Sequence, residues 1–206
     1  MNATMQARRV AVIAGASYWI IFFAAIFANF FVIESLLHDP LVTSQQSKLV
    51  GAGIVAFLIT VVFDVVVAWA LYELYKENAL SLLSTLFRMM HAVIMGVAIF
   101  ALPAILSLSS SEAILQQIDV FNTIWLIGLF FFGIHLILLA VIIGKPKFIA
   151  FFLIIAGVMY MFDTVAHFTL INYADYADIF LALVAIPSIL GEMSFAIWLL
   201  VKGGKK

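Results

Sequence analysis

Residues 131–168 read FFGIHLILLAVIIGKPKFIAFFLIIAGVMYMFDTVAHF, two apolar runs either side of Gly144, Lys145, Pro146 and Lys147, with His135, Asp163 and His167 set inside them. Each run can cross the hydrocarbon core of a bilayer as a helix, which takes about 20 residues. The Gly-Lys-Pro-Lys break is the turn between them, since glycine ends helices and proline cannot continue one. An ionisable side chain inside a bilayer is costly, so His135, Asp163 and His167 read as marks of a pathway or a site.

The rest of the chain has the same character. Of 206 residues, 67% are hydrophobic and 10% charged, and the mean hydropathy is +1.24. A soluble domain has about a quarter of its residues charged, so most of this surface faces lipid. The net charge of -1 and the lack of any Lys/Arg-rich run exclude a nucleic-acid partner. With no cysteine, a disulfide framework, a Cys-ligated metal and a Cys nucleophile are excluded too. The expected fold is an all-α, polytopic bundle of six transmembrane helices in one domain, at about 10–34, 49–76, 79–105, 120–143, 148–171 and 179–202.

The first span follows Arg8 and Arg9 and is too long, and too poor in small residues at a cleavage site, to be a removable signal peptide. The second ends in Trp69, Tyr72, Tyr75 and Lys76, the aromatic belt and charge of a membrane surface. Asn78 caps the third, and residues 106–120, LSLSSSEAILQQIDV, suit a short amphipathic helix at the interface. Six spans put Arg8, Arg9, Lys76, Lys145, Lys147, Lys202, Lys205 and Lys206 on one side and leave Lys48 alone on the other. By the positive-inside rule both termini are cytoplasmic.

Counting about 1.5 Å per residue from the inner turns ranks the intramembrane polar groups by depth. Arg88, His135 and Glu192 are nearest the inner side, then Asp64 and His91, then Asp163, then His167 with Asn29. Asp64 and Arg88 lie on neighbouring helices one turn apart in depth, so an ion pair is expected. Tyr160, Asp163 and His167 follow at spacings of three and four and share a helix face, which should point inward. The expected ligand or proton pocket is therefore Asp64, Arg88, His91, His135, Tyr160, Asp163 and Glu192.

Four patches, FDVVVAWALYELYK, LFRMMHAVIMG, FFGIHLILLAVIIGKPKFIAFFLIIAGVMYMFD and GEMSFAIWLLVKG, carry Asp64, Arg88, His135, Asp163 and Glu192 in a fixed order from about residue 50 onward. In these the chain resembles a prokaryotic six-helix integral membrane family catalogued only as a domain of unknown function. The resemblance implies the six-helix fold, the plasma (inner) membrane of a prokaryote and a candidate pocket, but no activity. It also implies an aromatic residue where this chain has His91.

The pocket favours small-molecule or proton-coupled transport or binding, since stepped titratable groups resemble the relays of pumps and carriers. Catalytic residues are not assignable, and the chain is read as leaning away from an enzyme. The alternative is an intramembrane metal-dependent hydrolase acting on lipid, with His135, Asp163 and His167 as metal ligands and Glu192 as base. Lesser alternatives are a haem electron carrier, pairing His91 with His135 and His38 with His167, and a structural subunit. No cofactor is expected on the first reading; the alternatives call for zinc or haem. The expected partners are the lipid bilayer, a small-molecule ligand and a second copy of the chain in a homo-oligomer.

Overall fold

A computed structural model describes residues 3–204, so Lys205 and Lys206 of the expected inner charge cluster lie outside the described residues. Among the described residues there is no strand. Six helical spans are long and apolar enough to cross a membrane: α1 (Met5–His38), α2 (Ser47–Tyr75), α3 (Ser81–Ser107), α4 (Ser111–Ile143), α5 (Lys147–Thr169) and α6 (Tyr173–Val201). The protein is a polytopic all-α membrane bundle. Its outward surface is apolar, with Phe23, Val93 and Phe100 among the exposed side chains, as a lipid-facing wall requires.

Local chemistry accounts for the breaks. Gly144, at φ 57°, ends α4 in a left-handed conformation, and its N–H donates to the Ala140 carbonyl at 3.1 Å. A cis Lys145–Pro146 peptide follows and leads into α5. Between α2 and α3 the Asn78 Oδ1 accepts from the Leu80 N–H at 2.9 Å, so the expected cap holds the turn while the helix starts at Ser81.

The stretch expected as a separate interfacial helix is instead divided. Residues 103–107 close α3 as a 3₁₀ turn, and Ser110 caps an unbroken 33-residue α4 by accepting from the Ala113 N–H at 3.1 Å. The reason is packing. Ile114, Ile118 and Phe121 recur at helical spacing and are buried with Phe57, Ile105 and Leu36, so one apolar stripe carries through the interface without a break.

The helices form a ring in chain order, each packed on the next, and α6 returns to α1. Gly133 and Gly157 face each other where α4 crosses α5; a Cβ on either would lie 2.5 Å from the other's carbonyl oxygen. Near the termini one apolar core draws on α1, α2, α4, α5 and α6. At the far end a second core draws on α1 to α4 and the short helix Pro40–Gln45 lies beside it, without α5 or α6.

The two ends of the α1–α6 seam differ accordingly. Near the termini the Arg8 guanidinium donates to the carbonyls of Leu199 at 2.8 Å, Gly203 at 3.0 Å and Leu200, holding the C-terminal carbonyls of α6. Packing of α1 on α6 runs through Ile189–Met193 and Ser194–Val201, whereas Ala177–Ser188 packs on α5 and makes no extended packing on α1. Both seam helices change pitch, at different depths: α6 to π-helix over Ile189–Met193, just past Pro187, and α1 to π-helix over Phe27–Ile33, further from the termini. In α1 the Asn29 amide donates to the Ala25 carbonyl at 3.0 Å, pairing a carbonyl next to the widened turn.

Candidate functional site

The far-end core stops short of α5 and α6, and a cavity of about 660 Å³ lies in the remaining space. Its walls are mainly apolar, but Asp64, Arg88, His91, Tyr160, Asp163, His167 and Glu192 all face it. Six of the seven expected pocket residues therefore come together. The seventh, His135, is 1% exposed and stands behind the wall, bonded to Arg88.

Two polar groups share the cavity. The first centres on Arg88, which is 1% exposed. Its Nη2 donates to Asp64 Oδ1 at 2.5 Å, the ion pair expected from spacing, and its Nη1 donates to the Tyr18 hydroxyl at 3.1 Å. Nη1 also lies 3.2 Å from His135 Nε2; a guanidinium only donates, so Nε2 accepts and the His135 ring proton sits on Nδ1. That Nδ1 lies 3.0 Å from the Ser84 carbonyl, which accepts it. His91 adds its Nε2 at 3.6 Å from Asp64 Oδ2. The Phe132 ring packs against Arg88, His91, His135 and Tyr160, with its centroid 5.2 Å from the guanidinium carbon and 4.7 Å from the His91 ring.

The second group lies on α5 and α6, where Tyr160, Asp163 and His167 share the inward face that their spacing required. Ser188 Oγ is 2.9 Å from Glu192 Oε1 and 2.8 Å from the Tyr160 hydroxyl. With Glu192 ionised, the serine hydrogen goes to the carboxylate and Tyr160 donates to the serine, giving a Tyr160–Ser188–Glu192 relay. Further from the termini, Asp163 Oδ1 accepts from the Tyr173 hydroxyl at 2.6 Å, and the Tyr173 ring lies edge-on to His167 at 4.7 Å.

The metal set His135, Asp163 and His167 is divided between these groups: His135 turns its nitrogens to Arg88 and Ser84, while Asp163 and His167 are with Tyr173. Among the described residues no three His, Asp or Glu side chains converge as a metal-holding group. Of the two haem pairs, His91 and His135 both lie against Phe132, while His38 is exposed and 3.3 Å from Glu34 at the far end of α1.

Sequence reasoning missed Tyr18, Ser84, Phe132, Tyr173 and Ser188. A usable signal existed for three of them. Ser84 precedes Arg88 by four residues and Ser188 precedes Glu192 by four, so each shares a helix face with a charged residue, and Phe132 is three residues before His135. Tyr18 and Tyr173 depend on how α1 and the start of α6 turn in the ring, which no local spacing encodes.

The sequence profile of a family described as Domain of unknown function (DUF4386) matches residues 13–203, so the likeness takes in most of α1 as well as the four patches. An uncharacterised protein of Archaeoglobus fulgidus is 30% identical over 159 residues, covering 74% of this chain and 85% of that protein. No solved structure matches.

Proposed function

This chain belongs to the DUF4386 family, whose description assigns no activity, and on that premise we propose that it binds a small molecule in the cavity and moves it across the membrane with exchange of protons. One observation carries the reading. A cavity of about 660 Å³ lies inside an apolar bundle with Asp64, Asp163 and Glu192 on its walls, where polar groups would be disfavoured if the space served only packing. The Tyr160–Ser188–Glu192 relay supports proton exchange, because each member has a hydrogen-bond partner through which a proton can pass.

On this reading both termini face the cytoplasm and the membrane is the plasma membrane of a prokaryotic cell. The excess of Arg and Lys at the termini and in the turns at 76–80 and 144–146 supports the first, and the archaeal relative supports the second.

The test is transport in proteoliposomes carrying an internal pH dye, challenged with a panel of cationic, anionic and neutral small molecules. At least one compound should shift the internal pH with the wild type, and Glu192→Gln should abolish the shift. A panel that never moves the dye, with correctly oriented and folded protein, rejects proton-coupled transport.

A further inference from the structure

We infer that the cavity takes an amphiphilic primary amine, with its protonated ammonium at Glu192 and its apolar tail leaving through the gap between the far halves of α1 and α6; this rests on the binding reading above. The charge balance of the walls is the first argument. The ion pairs among the described residues commit Arg88 to Asp64 and place His91 beside it and His38 beside Glu34, leaving Asp163 and Glu192 hydrogen-bonded to hydroxyls, with His167 and the already paired Arg88 acting on them through space only. A buried carboxylate lacking a counter-ion is costly, and a ligand cation supplies the missing charge. An anionic ligand would add to the surplus, and a neutral one would leave it in place.

The second argument is independent of charge. Arg88 Nε, His91 Nδ1 and His167 Nδ1 are buried and have no hydrogen-bond partner, and all three residues line the cavity; His91 Nδ1 lies against Gly128 of α4, which leaves the His167 nitrogen as the acceptor for a ligand. Buried polar nitrogens are nearly always partnered, so an orphan imidazole nitrogen on the cavity wall marks a place for a ligand N–H. A primary ammonium brings three N–H donors, and a carboxylate and a neutral imidazole are matching acceptors. The rings of Tyr18, Phe132 and Tyr160 also line the cavity, and aromatic faces attract ammonium groups.

The third argument concerns the tail. The cavity wall includes Phe22, Ile26 and Phe30 of α1 and Leu181, Ala185 and Ile189 of α6, and these two helices lack extended packing on each other along Ala177–Ser188. The gap is apolar and lies at the level of the bilayer, so a hydrocarbon tail can occupy it without losing contact with apolar surroundings. A fully hydrophilic amine would gain nothing from this wall. The ligand is therefore amphiphilic, polar at Glu192 and apolar toward the seam.

The test is calorimetric titration of the full chain in nanodiscs of zwitterionic lipid, with empty nanodiscs subtracted, using three probes of equal tail: octylammonium, octanol and octanoate. Octylammonium should bind saturably at one site, Glu192→Gln should weaken it at least tenfold, Asp163→Asn should weaken it less, and Ala185→Trp should block it. Octanoate should not bind. Octanol or octanoate binding as tightly as octylammonium overturns the amine assignment while leaving the cavity a binding site. Octylammonium binding that Glu192→Gln and Asp163→Asn both leave unchanged overturns the placement of the head group. Absence of binding by all three overturns the inference, and the transport panel then decides separately whether the cavity serves any small molecule.

Discussion

The Arg88 group and the α5–α6 group contain the same kinds of side chain and treat them differently. Around Arg88 the charges are matched: Asp64 takes one nitrogen, Tyr18 and His135 take another, and Ser84 fixes the far side of the histidine. On α5 and α6 two carboxylates lean on hydroxyls instead; each group leaves buried nitrogens without a partner, Arg88 Nε and His91 Nδ1 in the first and His167 Nδ1 in the second. A buried charge matched by its counter-ion fixes how helices meet, whereas a carboxylate without one is held in a costly state that a ligand can relieve. On the proposed reading the first group holds the fold and the second receives the ligand.

The strongest way to break this comparison is at Arg88. Arg88→Met leaves Asp64 with only His91 beside it in an apolar interior, and a loss of about 3–5 kcal/mol in unfolding free energy is expected. Adding Asp64→Leu should recover most of it, because the bare charge goes with its partner. Denaturant unfolding in detergent reads both, and a double variant as unstable as the single one would show that the pair does more than match charges.

Next comes the α4–α5 crossing, which both groups depend on for their spacing. Gly157→Ala puts a methyl 2.5 Å from the Gly133 carbonyl oxygen, so the helices must separate. An overpacking loss of about 1–3 kcal/mol is expected from the same unfolding measurement. A neutral result would mean that the crossing yields easily.

The smallest stability effect is expected at Glu192. Glu192→Gln keeps a hydrogen-bond acceptor for Ser188 and removes the surplus charge, so stability should change by less than about 1 kcal/mol or rise. Its transport response should nonetheless disappear. A large destabilisation would place Glu192 with the structural group and erase the contrast.

Much of the architecture was readable because bilayers impose it: the length and apolarity of each run, and glycine and proline at the turns, decide where helices stop. The Asp64–Arg88 pair was readable for the same reason, as two neighbouring helices joined by a short turn fix relative depth. Where reading failed, the cause was angular or tertiary. His135 has the depth of the cavity floor but its helix turns it toward Ser84, behind Arg88, a rotation that hydrophobicity spread around α4 does not reveal. The joining of residues 111–120 to α4 was missed because Glu112, Gln116, Gln117 and Asp119 suggested an interfacial segment, while the buried stripe of Ile114 and Ile118 decided the outcome.

The ring order has a consequence for how the protein is made. Each of the first five helices meets its neighbour as soon as that neighbour is synthesised, so five of the interfaces assemble from sequence-adjacent pairs as the chain emerges. The seam between α1 and α6 joins residues at opposite ends of the chain, and Arg8 waits for carbonyls at positions 199, 200 and 203. Closure therefore belongs to the last moments of biogenesis. The cavity lies on that late seam, so until the final helix arrives it lacks Glu192 and the hydroxyls of Ser188 and Tyr173.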